Sequence, residues 1–192
     1  MKTLLIAGLG NPGPTHQWTR HNAGFLFLDR LAHLENITVT RKSFSGLAGE
    51  WSRGDNRLIL LKPQTFMNLS GRSVMQALQF YKLPLSHLIV VHDELDLPFG
   101  TVRFKQGGGH GGHNGLRSIM EQLGKGDFIR LRIGIGKPVH GDTVNYVLGH
   151  IPPEQMETLP RVLDGGLDML EMMLDEGLPK AMSMFNNKNF LE

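Results

Sequence analysis

The sequence contains no cysteine, few aromatic residues and no long hydrophobic run. The lack of cysteine excludes disulfide-stapled scaffolds and thiol nucleophiles. The longest apolar runs, such as Leu4–Ala7 and Leu58–Leu61, are as long as strands and far shorter than the ~20 residues that span a bilayer. The run after Lys2 also meets a Gly-Asn-Pro-Gly turn before it reaches the ~7 to 15 residues of a signal-peptide core. We therefore expect a cytoplasmic protein with no membrane segment.

Charge and glycine are unevenly distributed along the chain. The net charge is only +2, but residues 1–150 carry 17 basic and 10 acidic side chains, whereas residues 151–192 carry 3 and 8. A polyanion is therefore expected to bind one face only. Of the 24 glycines, 13 lie between residues 100 and 149, so this stretch is expected to need backbone freedom.

Strand-like and helix-like segments alternate along the chain. Pro160 and the Gly165-Gly166 pair should weaken or kink the last helix. The alternation predicts an α/β fold: a single domain over residues 1–192 with a central twisted, mostly parallel but mixed sheet flanked by helices. The predicted strands are 3–7, 47–53, 57–62, 87–92, 101–106 and 129–135, and the predicted helices follow residue 22 and cover 70–81, 114–123 and 154–176.

The stretch from Gly8 to Gly13 matches the G-x-G-x-x-G pattern of dinucleotide-binding folds. Pro12 and Pro14 remove backbone donors that a pyrophosphate would need, and the acidic residue expected ~20 positions later would be Asp29, inside a helix. A tight turn is the better interpretation, and no nucleotide cofactor is expected.

Two polar stretches contain titratable side chains. His21 lies beside the start of a predicted helix, a position that disfavours the imidazolium and suits a general base, although a capping or surface histidine has the same pattern. Asp93, Glu94 and Asp96 follow a buried strand, which fits a metal site that includes His92, or a surface acidic turn. If the strand continues, alternation places His92 and Asp93 on opposite sides.

Three asparagines share one situation, because each follows a predicted strand and precedes a helix. Asn11 lies in the first loop, Asn68 follows Phe66 and Met67 and could simply cap the next helix, and Asn114 follows five glycines within 107–112 and stands at the start of its helix. Such loops gather at one edge of an α/β sheet, where neutral amides can bind peptide groups. No serine or cysteine nucleophile has a familiar setting, so water is expected to attack.

The chain resembles the bacterial peptidyl-tRNA hydrolase family in five stretches, which follow in order over most of its length: GLGNPGPTHQWTRHNAG, KPQTFMNLSG, VHDELDLPFG, FKQGGGHGGHNGLRS and RLRIGIGKP. The resemblance implies a monomeric α/β enzyme without cofactor or metal. Its implied reaction is hydrolysis of the ester between a peptide and the 3′ end of tRNA, which recycles tRNA from aborted translation.

The resemblance also implies roles for individual residues. His21 is the implied catalytic base with Asp93 as its partner, and Lys105 and Arg132 are the implied tRNA contacts, consistent with a basic strand face beside the glycine run. His16 stands where many members carry tyrosine, which is a departure from the family. The substrate-binding set is Asn11, His16, Phe66, Met67, Asn68, Gly111, His113 and Asn114.

Two rival classes of function stay open at this point. A non-catalytic RNA-binding module would bind RNA without turnover. A metal-dependent hydrolase would lose activity with a chelator, and its ligands would come from His92, Asp93, Asp96, His110 and His113.

Overall fold

The centre of the molecule is a seven-stranded sheet in a computed structural model that describes all 192 residues. The strand order is β2-β3-β4-β1-β5-β7-β6; the four central strands are parallel, whereas β2, β3 and β6 pair antiparallel at the edges. The predicted mixed, mostly parallel sheet is thus confirmed. The strands are β1 (Lys2–Gly8), β2 (Arg41–Ser43), β3 (Gly46–Arg53), β4 (Asn56–Pro63), β5 (Leu88–Glu94), β6 (Val102–Gln106) and β7 (Ile129–Gly134).

Helices cover both faces of the sheet, which explains why the central strands are apolar without interruption. Alternate residues of β1 and β5 enter two separate cores, so that Ile6 and Val91 pack with α1, α5 and α6, and Leu5 and Val90 pack with α2 and α3. None of the helices combines the length and apolar character that a membrane crossing requires. The helices are α1 (Ala23–Leu34), α2 (Ser70–Tyr81), α3 (Asn114–Leu123), α4 (Thr143–Val147), α5 (Pro153–Glu176) and α6 (Leu178–Phe185).

Three elements were not predicted, whereas the long helix predicted over 154–176 is confirmed. Strand β2 and helices α4 and α6 are too short or too irregular for a periodic signal. Helix α5 runs continuously through Pro160. At Gly166 a Cβ would lie 3.0 Å from the ring of Phe27, so the absence of a side chain allows α5 to pack closely on α1. Tertiary packing therefore outweighs the low helix propensity of these residues.

Candidate active site

The carboxyl ends of the parallel strands open into a cleft of about 550 Å³. Open α/β sheets bind ligands at this edge because the loops that follow neighbouring strands meet there. All the residues selected from the sequence lie along its wall, namely Asn11, His16, His21, Phe66, Met67, Asn68, Asp93, Lys105, Gly111, His113, Asn114 and Arg132.

Two histidines contact one buried carboxylate at the floor of the cleft. Asp93, at the end of β5, is 3% exposed, and its Oδ2 accepts a hydrogen bond from His21 Nδ1 at 2.8 Å. Its Oδ1 accepts a second hydrogen bond from His113 Nε2, also at 2.8 Å. His21 and Asp93 are 72 residues apart in sequence, and His21 lies in a short 3-10 turn, Arg20–Asn22, before α1.

The surrounding hydrogen bonds determine which ring nitrogens carry protons. His113 Nδ1 accepts from the backbone N–H groups of Gly115 and Leu116, so His113 Nε2 must carry the proton that it donates to Asp93. His21 donates its Nδ1 proton to the same carboxylate. In neutral His21, Nε2 is therefore an unprotonated acceptor; it has no protein partner and belongs to a residue that lines the cleft.

His113, and not Asn114, caps α3. The imidazole accepts from the first free N–H groups of the helix, while Asn114 is the first helical residue and its exposed side chain has no protein partner. The prediction that Asn114 stands at the start of a helix is confirmed. Histidine can serve as the cap because its Nδ1 accepts from the helix while its Nε2 remains bound to Asp93. The amide of Asn114 is consequently left free at the cleft wall.

The charges of the cluster contradict the sequence-based expectation for His21. Burial by itself lowers the pKa of His21. The charge of Asp93 and the hydrogen bond to it together outweigh burial, so the pKa of His21 is raised above its usual value. The predicted depression by a helix N-terminus is wrong because the carboxylate is the closer and stronger charge. For Asp93, burial raises the pKa, but His21 and His113 outweigh burial, so its pKa lies well below the usual range.

His92, the neighbour of Asp93 on strand β5, is also buried and also lines the cleft. Its Nδ1 donates to the backbone oxygen of Asp93 at 2.8 Å, and its ring lies 5.1 Å from the ring of His113. Burial, reinforced by His113, lowers the pKa of His92 to about 3. His92 therefore supports the floor of the cleft as a neutral ring.

The group closest to a metal-ligand set is His21, Asp93 and His113, whose candidate atoms lie within 4.8 Å of one another. His113 can offer only Nε2, because its Nδ1 is bound by two backbone donors, and that Nε2 already carries a proton. Asp96 is exposed and pairs with Lys137 at 2.9 Å instead. The donor set thus fits a chain of hydrogen bonds better than a metal centre.

Asn11 is held by Asn22, a residue that the sequence analysis did not select. The Asn22 side chain accepts from Asn11 N at 2.8 Å and donates to Asn11 O at 3.0 Å. Asn11 Oδ1 in turn accepts from Met67 N at 2.7 Å, and its Nδ2 has no protein partner. Nearby, a Cβ on Gly10 would lie 2.6 Å from the ring of Phe25. Close packing of the loop after β1 on α1 therefore accounts for a glycine of the G-x-G-x-x-G match.

The segment between β4 and α2 places an aromatic ring at the mouth of the cleft. Phe66 is 55% exposed and has φ 61° and ψ 156°, a backbone conformation found almost only in glycine. Such strain costs about 1–3 kcal/mol and persists where function or packing requires it. Met67 is buried beside it, whereas Asn68 is exposed without a protein partner and does not cap α2, which begins at Ser70.

Helix α4 forms part of the cleft wall, although no sequence pattern predicted it. Its apolar residue Val144 is 62% exposed, the residue that caps its C-terminus, Leu148, is 40% exposed, and both line the cleft. Arg20, the neighbour of His21, lies over the ring of Tyr146 at 4.0 Å and donates to its backbone oxygen. Five residues are too few for helical periodicity, and the only local signal was Asp142, whose side chain caps α4.

Four cations face one another across the edge strand β6 and its neighbour β7. Arg103 pairs in register with Arg132, and Lys105 with Arg130. Like charges directly opposite each other are destabilising, and the only acidic partner is Glu94, 3.7 Å from Arg132. Backbone oxygens of glycines compensate Arg130, so Arg103, Lys105 and Arg132 are the cations of this face that lack such compensation.

Comparison with known proteins agrees with the geometry. The family model described as peptidyl-tRNA hydrolase matches residues 5–192. Proteins named peptidyl-tRNA hydrolase from Pelobacter propionicus and Trichlorobacter lovleyi are 84% and 70% identical over 192 residues, and the match covers all of both chains in each case. The crystal structure of peptidyl-tRNA hydrolase from Acinetobacter baumannii is 39% identical, with a TM-score of 0.90 over 98% of this chain and 96% of that chain.

Proposed function

The chain belongs to the peptidyl-tRNA hydrolase family of ester hydrolases, and we propose that it cleaves the ester between the peptide and the 3′ ribose of peptidyl-tRNA and so returns free tRNA to translation. The observation that carries the proposal is His21: Nδ1 is bound to Asp93 and Nε2 is left unpaired at the cleft. This is the arrangement required of a general base that activates water.

In the proposed mechanism His21 Nε2 takes a proton from water, and the water oxygen bonds to the ester carbonyl carbon. Asp93 stabilises the imidazolium that forms. The tetrahedral intermediate then collapses, the bond from carbon to the 3′ oxygen breaks, and the leaving oxygen takes the proton from His21. The site therefore returns to its starting protonation state without a cofactor.

The amides bind the peptide and the developing oxyanion in this proposal. Asn11 Nδ2 and Asn114 Nδ2 are donors without protein partners at the cleft, and Asn68 is free at its mouth. Phe66 and Met67 provide apolar contact surface beside them. His16, Gly111 and His113 complete the proposed substrate-binding set.

The test of this function is incubation of the protein with N-acetyl-aminoacyl-tRNA, with and without EDTA, and measurement of released tRNA. We expect cleavage that EDTA leaves unchanged. Loss of cleavage with EDTA, restored by added metal, would support the metal-dependent hydrolase. Binding of RNA without cleavage would support the RNA-binding module.

Blocked substrates should be preferred over free aminoacyl-tRNA. A free α-amino group is charged, yet Asp93 already accepts from two histidines, and Glu94 and Asp96 lie close to Arg132 and Lys137. Desolvating an ammonium without a carboxylate partner costs more than the ~1–3 kcal/mol of an unpaired neutral polar group, so kcat/KM should be at least roughly tenfold lower for the unblocked substrate. The measurement compares one aminoacyl-tRNA before and after N-acetylation. Equal kcat/KM for the two forms would contradict this assignment of the carboxylates.

Lys105 and Arg132 are proposed to contact tRNA phosphates. Replacement of either by alanine should raise KM far more than it lowers kcat, and should reduce the slope of log KM against log salt by about one, because one phosphate contact is lost. Arg161→Ala is the control, since it removes an exposed cation from α5, outside the cleft. An unchanged slope in both cleft variants would exclude these side chains as phosphate contacts.

A further inference from the structure

Arg130 is a buried cation that forms no ion pair. Arg130 lies on β7 and is 2% exposed. The acidic residue at the end of the adjacent strand β5, Glu94, pairs with Arg132 instead, at 3.7 Å. Burial, followed by the charge of Arg132, lowers the pKa of Arg130. A buried charge is unfavourable unless other polar groups compensate it, so the groups around this guanidinium indicate its role.

The hydrogen-bond partners of the Arg130 guanidinium are backbone oxygens of glycines, apart from Met120 Sδ at 4.0 Å. One terminal nitrogen donates to the oxygen of Gly109, and the other donates to the oxygens of Gly108 at 2.6 Å and Gly126 at 3.2 Å. The guanidinium also lies over the ring of Phe128 at 4.7 Å. One side chain thus joins the loop before α3 to the turn after it.

The loop of residues 107–112 has few other bonds that could hold its shape. Gly107 N donates to Phe128 O at 3.1 Å, and Gly112 N donates to His110 Nδ1 at 3.0 Å. Four of its glycines have positive φ, a region that glycine enters without steric cost but also leaves easily. These residues are Gly107, Gly108, Gly111 and Gly112.

The position of Gly108 matters for the cleft because the side chain of Lys105 rests on it. A Cβ on Gly108 would lie 2.8 Å from Lys105 Cε. Lys105, Gly111 and Arg130 all line the cleft. Displacement of the Gly108 and Gly109 carbonyls would therefore move a cation and a stretch of backbone that face the substrate.

We propose that Arg130 is a positioning residue: its forked guanidinium holds the loop 107–112 in the shape that presents Lys105 and the Gly111 backbone to the substrate. The proposal rests on the proposed function for the identity of the substrate only. The restraint of the loop does not depend on the proposed function, because it is a property of the protein without substrate. Arg130 contacts the loop and not the reacting atoms, because its terminal nitrogens are engaged by carbonyl oxygens.

The test uses two substitutions and one control. Arg130→Met removes the charge and the fork but keeps the apolar stem, whereas Arg130→Lys keeps the charge and loses the planar fork. Arg161→Met removes an exposed cation from α5 as the matched control. Amide hydrogen exchange of residues 107–113 is measured in the free proteins with strand β1 as internal reference, and kcat and KM are measured on N-acetyl-aminoacyl-tRNA.

We expect loop exchange at least tenfold faster in both Arg130 variants, with β1 and the control unchanged. KM should rise tenfold or more in Arg130→Met, while kcat stays within threefold, because the catalytic histidine is held by Asp93 and not by the loop. General destabilisation would instead lower the active fraction, and hence kcat, with KM unchanged.

Wild-type loop exchange in Arg130→Met, or a lower kcat with unchanged KM, would overturn the proposal. If Arg130→Met does not fold, the Arg130→Lys variant is the test. Loop exchange and KM equal to those of the wild type in Arg130→Lys would then overturn the proposal. If the unaltered protein fails to cleave peptidyl-tRNA, the proposed function is wrong, whereas loop exchange still tests whether Arg130 restrains the loop.

Discussion

Replacement of His21 by alanine is expected to lower kcat on N-acetyl-aminoacyl-tRNA by about 10²- to 10⁴-fold, the usual contribution of a general base. The imidazole is the only group at the cleft floor that combines an unpaired acceptor nitrogen with a hydrogen bond to a buried carboxylate. No phosphate-binding cation is removed, so affinity for tRNA should stay nearly unchanged. The measurement is single-turnover cleavage together with equilibrium binding of deacylated tRNA.

His33→Ala is the matched control for this prediction. His33 is an exposed histidine in the last turn of α1, the helix that follows His21, and it lies outside the cleft. Its variant should keep wild-type kcat and binding. Wild-type kcat in His21→Ala would remove the proposed base, and a large loss of tRNA affinity would show that His21 acts in binding instead.

Asp93→Asn is expected to lower kcat by on the order of 10³- to 10⁴-fold because it forces the wrong tautomer on His21. An asparagine has one acceptor oxygen and one donor NH2 group in place of the two acceptor oxygens of the carboxylate. His113 needs the oxygen, since its Nδ1 is bound by backbone donors and its Nε2 carries a proton. The amide donor then faces His21 Nδ1, so His21 Nε2 carries the proton and cannot accept one from water.

The pH profile provides a second measurement for the same substitution. Activity requires neutral His21, so in the wild type the rate should rise with pH through a pKa above 6.5. Without the charge of Asp93, burial is the larger remaining influence and lowers the pKa of His21, so the acidic limb should move to lower pH. Asp96→Asn, an exposed change in the same turn, should shift neither limb nor rate. An acidic limb that stays in place would contradict the assignment of His21 as base.

The fold could be predicted to a large extent because it depends on local patterns. Apolar runs such as 3–7 and 87–92 became the parallel strands β1 and β5, since strands covered on both faces are apolar throughout. The loops that carry Asn11 and Asn68 could be placed at one sheet edge because the carboxyl ends of parallel strands meet there. Asn114 reaches this edge differently, because β6 runs antiparallel to β7 and the loop after it returns the chain to the cleft. Elements without a periodic signal, such as α4, could not be predicted.

Local sequence determined which polar side chains stand at the sheet edge, because periodicity and turn chemistry are properties of neighbouring residues. Only the tertiary structure decided which partner each of them meets: Asp93 with His21 and His113, Asn22 with Asn11, and Arg130 with three glycine carbonyls. The physical reason is that a buried polar group takes its protonation and role from the atoms within hydrogen-bond distance, and chain folding brings those atoms from distant positions.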